Sequence, residues 1–184
     1  MAIKICIIGL KQTGASIGLA LSQIKDQATR MGHDRDLTVA HMAEKMGAVD
    51  KTSFNLPSAV RDADLVILAI PVNQIRDTLE AIGPDLKPGV VVIDTSPLKE
   101  KVMEWAKEFS PGSDRYFVSV ALSTNPEYLM TTGDGTGEAR ADLFTHGTML
   151  ITSPLGIDES ALNLTANLAE ILGAQPMFSD AVEV

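Results

Sequence analysis

"KICIIGLKQTGASIGLAL", residues 4–21, decides the fold. It begins with Ile5, Cys6, Ile7 and Ile8, a short run that is apolar on both faces of an extended chain and so suits a strand covered on both sides. The run breaks at Gly9. Beyond Gly14, residues Ile17, Ala20, Leu21 and Ile24 recur at the spacing of a single helical face. Strand, glycine turn and helix therefore follow one another within a few residues.

The same alternation continues outward along the chain. Strands are expected near 3–9, 28–34, 65–70, 90–94, 116–121 and 147–152, with weaker candidates at 51–55 and 175–178. LVILAI and VVVID are apolar on both faces, as central parallel strands are. Helices are expected over about 36–47, 72–82, 98–109 and 137–144, and around Leu164, Leu168, Ile171 and Leu172, where Gly173 is a helix stop. Asp36 and Asp158 stand at capping or first-turn positions. SPGSDR (110–115) and TTGDGTGE (131–138) read as flexible surface loops. With crossover helices between short strands, the fold class is α/β: a Rossmann-type, doubly wound, mostly parallel sheet with helices on both faces. The 184 residues suffice for one such domain, spanning 1–184, and the chain ends just after the last strand, so no second domain is expected within it.

In this setting the first turn acquires chemistry. A glycine at Gly9 permits the tight bend, one at Gly14 lets helix and strand pack closely, and Gly18 follows within the helix. The helix amino terminus then presents N–H groups and a positive partial charge to a phosphate. Asp34 ends the second strand 20 residues after Gly14, where a carboxylate accepts hydrogen bonds from ribose hydroxyls. A dinucleotide site built on Gly9, Leu10, Lys11, Gly14, Asp34 and Arg35 is expected. Lys11 occupies the usual place of the middle glycine, and its side chain either crowds the pyrophosphate or draws it in with the ammonium. Asp34 repels the extra phosphate of NADP, whereas Arg35 and Lys11 attract it; NAD is expected, with NADP as the alternative.

Charge and composition narrow the partners. A net charge of −9 argues against nucleic acid or an anionic membrane surface and favours a small molecule. The amino-terminal run is interrupted by Lys4, Gly9 and Lys11, which fits neither a signal peptide nor a membrane span, so a cytoplasmic protein is expected. The single cysteine, Cys6, is a core residue and agrees with a reducing compartment. His33, His41 and His146 show no ligand spacing with it, so no metal is implied. Ala15 and Ser16 follow Gly14 where a phosphate-binding loop of the NTPase kind needs Lys and Ser/Thr.

GLKQTGASIG, the strand end HDR, AIPVNQI, VVIDTSPLKEKV, and then LF followed by a strand ending in Ser-Pro resemble, in order, the amino-terminal NAD-binding domain of prephenate and arogenate dehydrogenases. The resemblance covers nearly the whole chain. It implies oxidative decarboxylation of a cyclohexadienyl acid in tyrosine synthesis, with a helical dimerisation domain, not expected within these residues, that forms the homodimer of a longer form. It also implies that Ile70 and Pro71 lie beside the cofactor and that Asp94, Thr95, Ser96 and Lys99 match a segment Asp-Val-Gly-Ser-Val-Lys, with Pro97 replacing the serine. The family's Gly-Gly-His-Pro, whose histidine takes the substrate proton, is replaced by a stretch within FVSVALSTNP that has no histidine. Asn125 there can orient a substrate but does not take up a proton near neutrality. Ser96, Lys99 and Asn125 are the candidate catalytic residues, with Ser96 alternatively a helix cap and Lys99 a first-turn surface lysine.

Two functions from different classes follow: an NAD(P)-dependent oxidoreductase passing hydride to or from a small anionic hydroxy, keto or cyclohexadienyl acid, or a dinucleotide-binding sensor module without turnover. If Lys11 touches a cofactor phosphate, Lys11→Gly weakens binding of NAD(H) or NADP(H) in calorimetric titration; equal or tighter binding by the variant rules that contact out.

Overall fold

The computed structural model describes residues 2–109, 114–130 and 133–179. Its regular elements are β1 (Ile3–Ile8), α1 (Gln12–Leu21), β2 (Ala28–His33), α2 (Leu37–Lys45), β3 (Lys51–Thr52), α3 (Leu56–Val60), β4 (Leu65–Leu68), α4 (Val72–Ile82), β5 (Val91–Asp94), α5 (Lys99–Phe109), β6 (Tyr116–Leu122), β7 (Thr148–Thr152), α6 (Glu159–Ile171) and β8 (Gln175–Ser179). The strands form one sheet in the order β3-β2-β1-β4-β5-β6-β7-β8. All neighbours are parallel except β6 and β7. Chain direction across the sheet therefore reverses at β1 and β4, the two strands whose carboxyl ends frame a crevice in folds of this kind.

Strand periodicity divides the core into two layers. Ile5, Ile7, Ile67 and Ile93 face the layer filled by α1, α2 and α6, where Ile17, Leu21, Ala43 and Leu168 are buried. Cys6, Ile8, Val66 and Val92 face the opposite layer, filled by Ile75 and Leu79 of α4 and Val102 of α5. This explains why β1, β4 and β5 carry uninterrupted apolar runs: neither face meets water. Cys6 is fully buried in the middle of β1, and burial pushes its thiol up to about 12. No helix among the described residues is long and apolar enough to cross a membrane.

The Rossmann-type sheet expected from the sequence is present. Asp36 and Asp158 cap α2 and α6 by accepting the N–H groups of Thr38 and Ser160, and Gly173 follows α6 with a φ of +72°. The weak strand candidate at 51–55 shrinks to two residues, and the short α3, capped by Asn55, has no counterpart among the expected helices. One expectation is overturned: 137–144 is not a helix. Only a single 3-10 turn, Thr136–Glu138, forms there, because polar groups of this stretch bond to the start of α1 while Leu143 and Phe144 plug the core. Of the two expected loops, residues 110–113 and 131–132 lie outside the described residues.

Arg30 on β2 is an ionic pin between the helices of the first layer. Although only 5% exposed, it pairs with Asp50 at 2.6 Å and donates to the carbonyls of Gly18 at 2.8 Å and Gly47 at 3.1 Å. Burial acts to raise the pKa of Asp50. The hydrogen bonds from the Arg30 side chain and backbone N–H, with the guanidinium charge, outweigh it and hold the carboxyl below its ordinary value. Arg30→Met leaves Asp50 only the backbone N–H of residue 30, strips the Gly18 and Gly47 carbonyls of their guanidinium donor, and is expected to cost about 3 kcal/mol in urea denaturation. The Asp50 contribution is present above the unfolded carboxylate pKa and is lost as pH falls through the lower folded value. The stability gap between the native chain and Asp50→Asn is therefore expected to close in acid.

Candidate functional site

Two close backbone approaches create the turn after β1. Gly9 has a φ of +89°, and a Cβ there would stand 2.3 Å from the Ala69 carbonyl oxygen. A Cβ on Gly14 would stand 1.8 Å from the Gly9 carbonyl oxygen. Only glycine at both positions brings the first turn of α1 down onto the ends of β1 and β4. Lys11 is different. Its φ of −70° and ψ of −165° are extended backbone open to any side chain, so the turn keeps its shape without a middle glycine.

A cleft of about 180 Å³ opens beside this turn, lined by Gly9, Lys11, Asp34, Arg35, Ile70 and Pro71 among others. Six of the residues expected at the cofactor thus share one cavity. His33, Leu56, Gln74 and Thr78 also line it, with Ile8, Asp36 and Ala69; the sequence offered no signal for Leu56, Gln74 or Thr78. Asp34 holds the rim together: its Oδ2 accepts the Leu10 N–H at 2.8 Å and its Oδ1 the Asp36 N–H at 2.9 Å. The contribution of Leu10 is that N–H, since its side chain is fully buried. Gly14 lies outside the cleft, in the helix turn that caps it. His33 is buried with Nδ1 2.8 Å from the Ser53 carbonyl oxygen, while His41 and His146 are exposed.

The donor set suits the adenosine and pyrophosphate of a dinucleotide. Among the described residues the Thr13 and Gly14 N–H groups at the start of α1 have no acceptor, and the carboxylate of Asp34 retains lone pairs toward the cleft beyond the two N–H groups it accepts.

Thr95, Ser96, Lys99 and Asn125 sit further along the carboxyl edge, outside that cleft. Thr95 bonds the Leu68 carbonyl through both its N–H and its hydroxyl. Asp94, fully buried, accepts the Ser96 N–H at 3.0 Å, the Ser96 hydroxyl at 2.8 Å and the Ser119 hydroxyl at 2.9 Å. Lys99 is 3% exposed and donates to the Ser96 and Val120 carbonyls, tying the β5–α5 loop to β6. Burial pushes its ammonium down to about 8, against the opposing pull of Asp94. Asn125 accepts the Glu127 N–H through Oδ1 and donates through Nδ2 to the Asp142 carbonyl. The three candidate catalytic side chains are thus each bonded to neighbouring protein groups.

Comparison with known proteins agrees with this architecture. Residues 17–177 match the family model described as prephenate dehydrogenase, nucleotide-binding domain. A prephenate dehydrogenase of Lactococcus lactis is 32% identical over 116 residues, which are 62% of this chain and 32% of that protein. A cyclohexadienyl dehydrogenase of Zymomonas mobilis is 26% identical over 171 residues, 93% of this chain and 56% of that protein. The crystal structure of prephenate dehydrogenase from A. aeolicus, in complex with hydroxyphenyl propionate and NAD+, superposes with a TM-score of 0.85 at 18% identity, over 100% of this chain and 62% of that one. The chain thus spans between about a third and three fifths of the length of these proteins. With most of its length inside the matched region, the chain belongs to the prephenate dehydrogenase nucleotide-binding domain family.

Proposed function

We propose that this chain is the dinucleotide-holding part of an NAD-dependent dehydrogenase that passes hydride between the nicotinamide and a small anionic hydroxy, keto or cyclohexadienyl acid. The observation that carries this reading is the cleft in which the Gly9 turn, the start of α1 and the Asp34 carboxylate converge. The names of its relatives, prephenate and cyclohexadienyl dehydrogenases, support the substrate class. NAD is favoured by Asp34 at the rim and by the NAD+ held in the A. aeolicus structure.

When bound, the nicotinamide supplies the hydride acceptor or donor. The chain's own residues supply the frame. The N–H groups opening α1 bind phosphate oxygens, the free lone pairs of Asp34 take the ribose hydroxyls, and Ile70 and Pro71 form the apolar wall. Thr95 marks the carboxyl end of β5, toward which the dinucleotide extends. Ser96 and Lys99 act as positioning residues: through Asp94 and the Val120 carbonyl they set the β5–α5 loop against the end of β6. Asn125 fixes the turn that follows β6. A sensor without turnover is the second reading, favoured by the engaged side chains of Ser96, Lys99 and Asn125 and by the lack of histidine in Tyr116–Asn125.

Calorimetric titration with NAD(H) and NADP(H) in parallel is expected to show binding, with NAD preferred and Asp34→Asn weakening it about tenfold. Absence of binding of either dinucleotide to the native chain defeats the proposal. A change in nicotinamide absorbance with a cyclohexadienyl or hydroxy acid separates enzyme from sensor.

Lys99 has a folded pKa below its unfolded one, so its buried charge opposes folding while both states are protonated. That penalty lifts as pH rises from about 8 towards 10.5. Over this interval the unfolding free energy of the native chain is expected to rise relative to that of Lys99→Met, as read from urea midpoints.

A further inference from the structure

Residues 134–140 run along the beginning of α1 and are fastened to it at three places. The Gln12 N–H, the first of the helix, donates to the Asp134 carbonyl oxygen at 3.0 Å. The Thr136 hydroxyl, 4% exposed, donates to the Leu10 carbonyl at 2.9 Å. The Arg140 N–H donates to the Ser16 hydroxyl at 3.0 Å. In addition, Lys11 Nζ stands 3.9 Å from Asp134 Oδ2, with side chains 63% and 90% exposed.

These contacts differ in kind. Thr136 and Arg140 bond to groups that a dinucleotide has no use for: a carbonyl turned into the protein and a hydroxyl one turn into the helix. Asp134 engages two groups at the turn that suit an anion, the leading helix N–H and the Lys11 ammonium, while Arg35 stands as a further cation in the cleft wall.

We infer that Asp134 is an internal stand-in for the pyrophosphate, and that the segment anchored by Thr136 and Arg140 is a strap which the dinucleotide must push aside at its Asp134 tip. This rests on the proposed cofactor site. A neutral carbonyl and one exposed carboxylate are weaker ligands than a pyrophosphate with a charge on each phosphoryl group, so the exchange runs in favour of the dinucleotide while lowering its affinity. Because the anchors lie beyond the tip, the turn keeps its shape when Asp134 leaves. The strap therefore sets the strength of cofactor binding rather than its geometry.

Two readouts test this. Amide hydrogen exchange in the free chain, resolved by NMR, is expected to be slower at Gln12 than at Thr13, which has no acceptor among the described residues. Equal exchange at the two positions overturns the strap regardless of any nucleotide. Calorimetry with NAD+ at low ionic strength is expected to find Asp134→Asn binding about twofold to fivefold more tightly than the native chain, the range of an exposed ion pair. Glu138→Gln, which removes an exposed acid of the same segment, is expected to change affinity less. The gain is expected to vanish when Lys11→Met is combined with Asp134→Asn. Unchanged or weaker binding by Asp134→Asn overturns the competition, as does a gain that survives Lys11→Met. If no variant binds NAD+ or NADP+, the cofactor reading falls and the competition with it, an outcome told apart from a missing strap by slow exchange at Gln12.

Discussion

The close approach of Gly14 to the Gly9 carbonyl is the constraint on which the rest of the structure depends. With 1.8 Å between that oxygen and the place a Cβ would occupy, no side chain fits, and helix and strand meet backbone to backbone. The contact sets α1 over the junction of β1 and β4, directs its N–H groups at the carboxyl edge of the sheet, and leaves room beside it for Asp34 to reach the Leu10 N–H. Had the helix stood even slightly further out, Asp34 would face water and the cleft would open into a shallow groove. Ile17 and Leu21, at 1% exposure each, complete the seating by filling the layer beneath the helix.

Further along the same edge, the sheet accepts an expensive arrangement. Asp94 is completely buried at the end of β5, and its carboxylate is satisfied by Ser96 and Ser119, with Lys99 buried close by and donating to two carbonyls. Charged groups so placed contribute little net stability, since desolvation opposes whatever their pairing returns. Their effect is conformational: each polar atom has a defined partner, so the loop after β5 has one arrangement relative to β6. Rigidity is thereby concentrated at the carboxyl end of β5 and β6, where the loop after β5 meets the next strand.

Much of this was legible in the amino-acid order, for identifiable reasons. LVILAI and VVVID announce buried strands because covering both faces of a sheet leaves almost no polar position along them, and Asp34 stands out because it ends the second strand 20 residues after Gly14. The five-residue α3 is too short for its periodicity to register. In 137–144 the spacing of Ala139, Leu143 and Phe144 imitates a helical face, yet the Arg140 N–H finds its partner in the Ser16 hydroxyl on α1, more than a hundred residues away in sequence. The engagement of Lys99 and Asn125 was hidden for a related reason. Their partners are chiefly backbone groups, which every residue has, so no pattern of side-chain types marks the positions that receive them.

Cys6 illustrates what a sheet covered on both faces does to chemical reactivity. The thiolate is the form that attacks electrophiles and oxidants, and with the thiol at about 12 in the middle of β1 almost none of it exists near neutral pH. Its alkylation therefore waits for the central strand to come free of both layers. The chain thereby carries a native clock at its most protected position: the rate at which a thiol reagent consumes Cys6 measures how often the whole sheet opens, without the introduction of any probe.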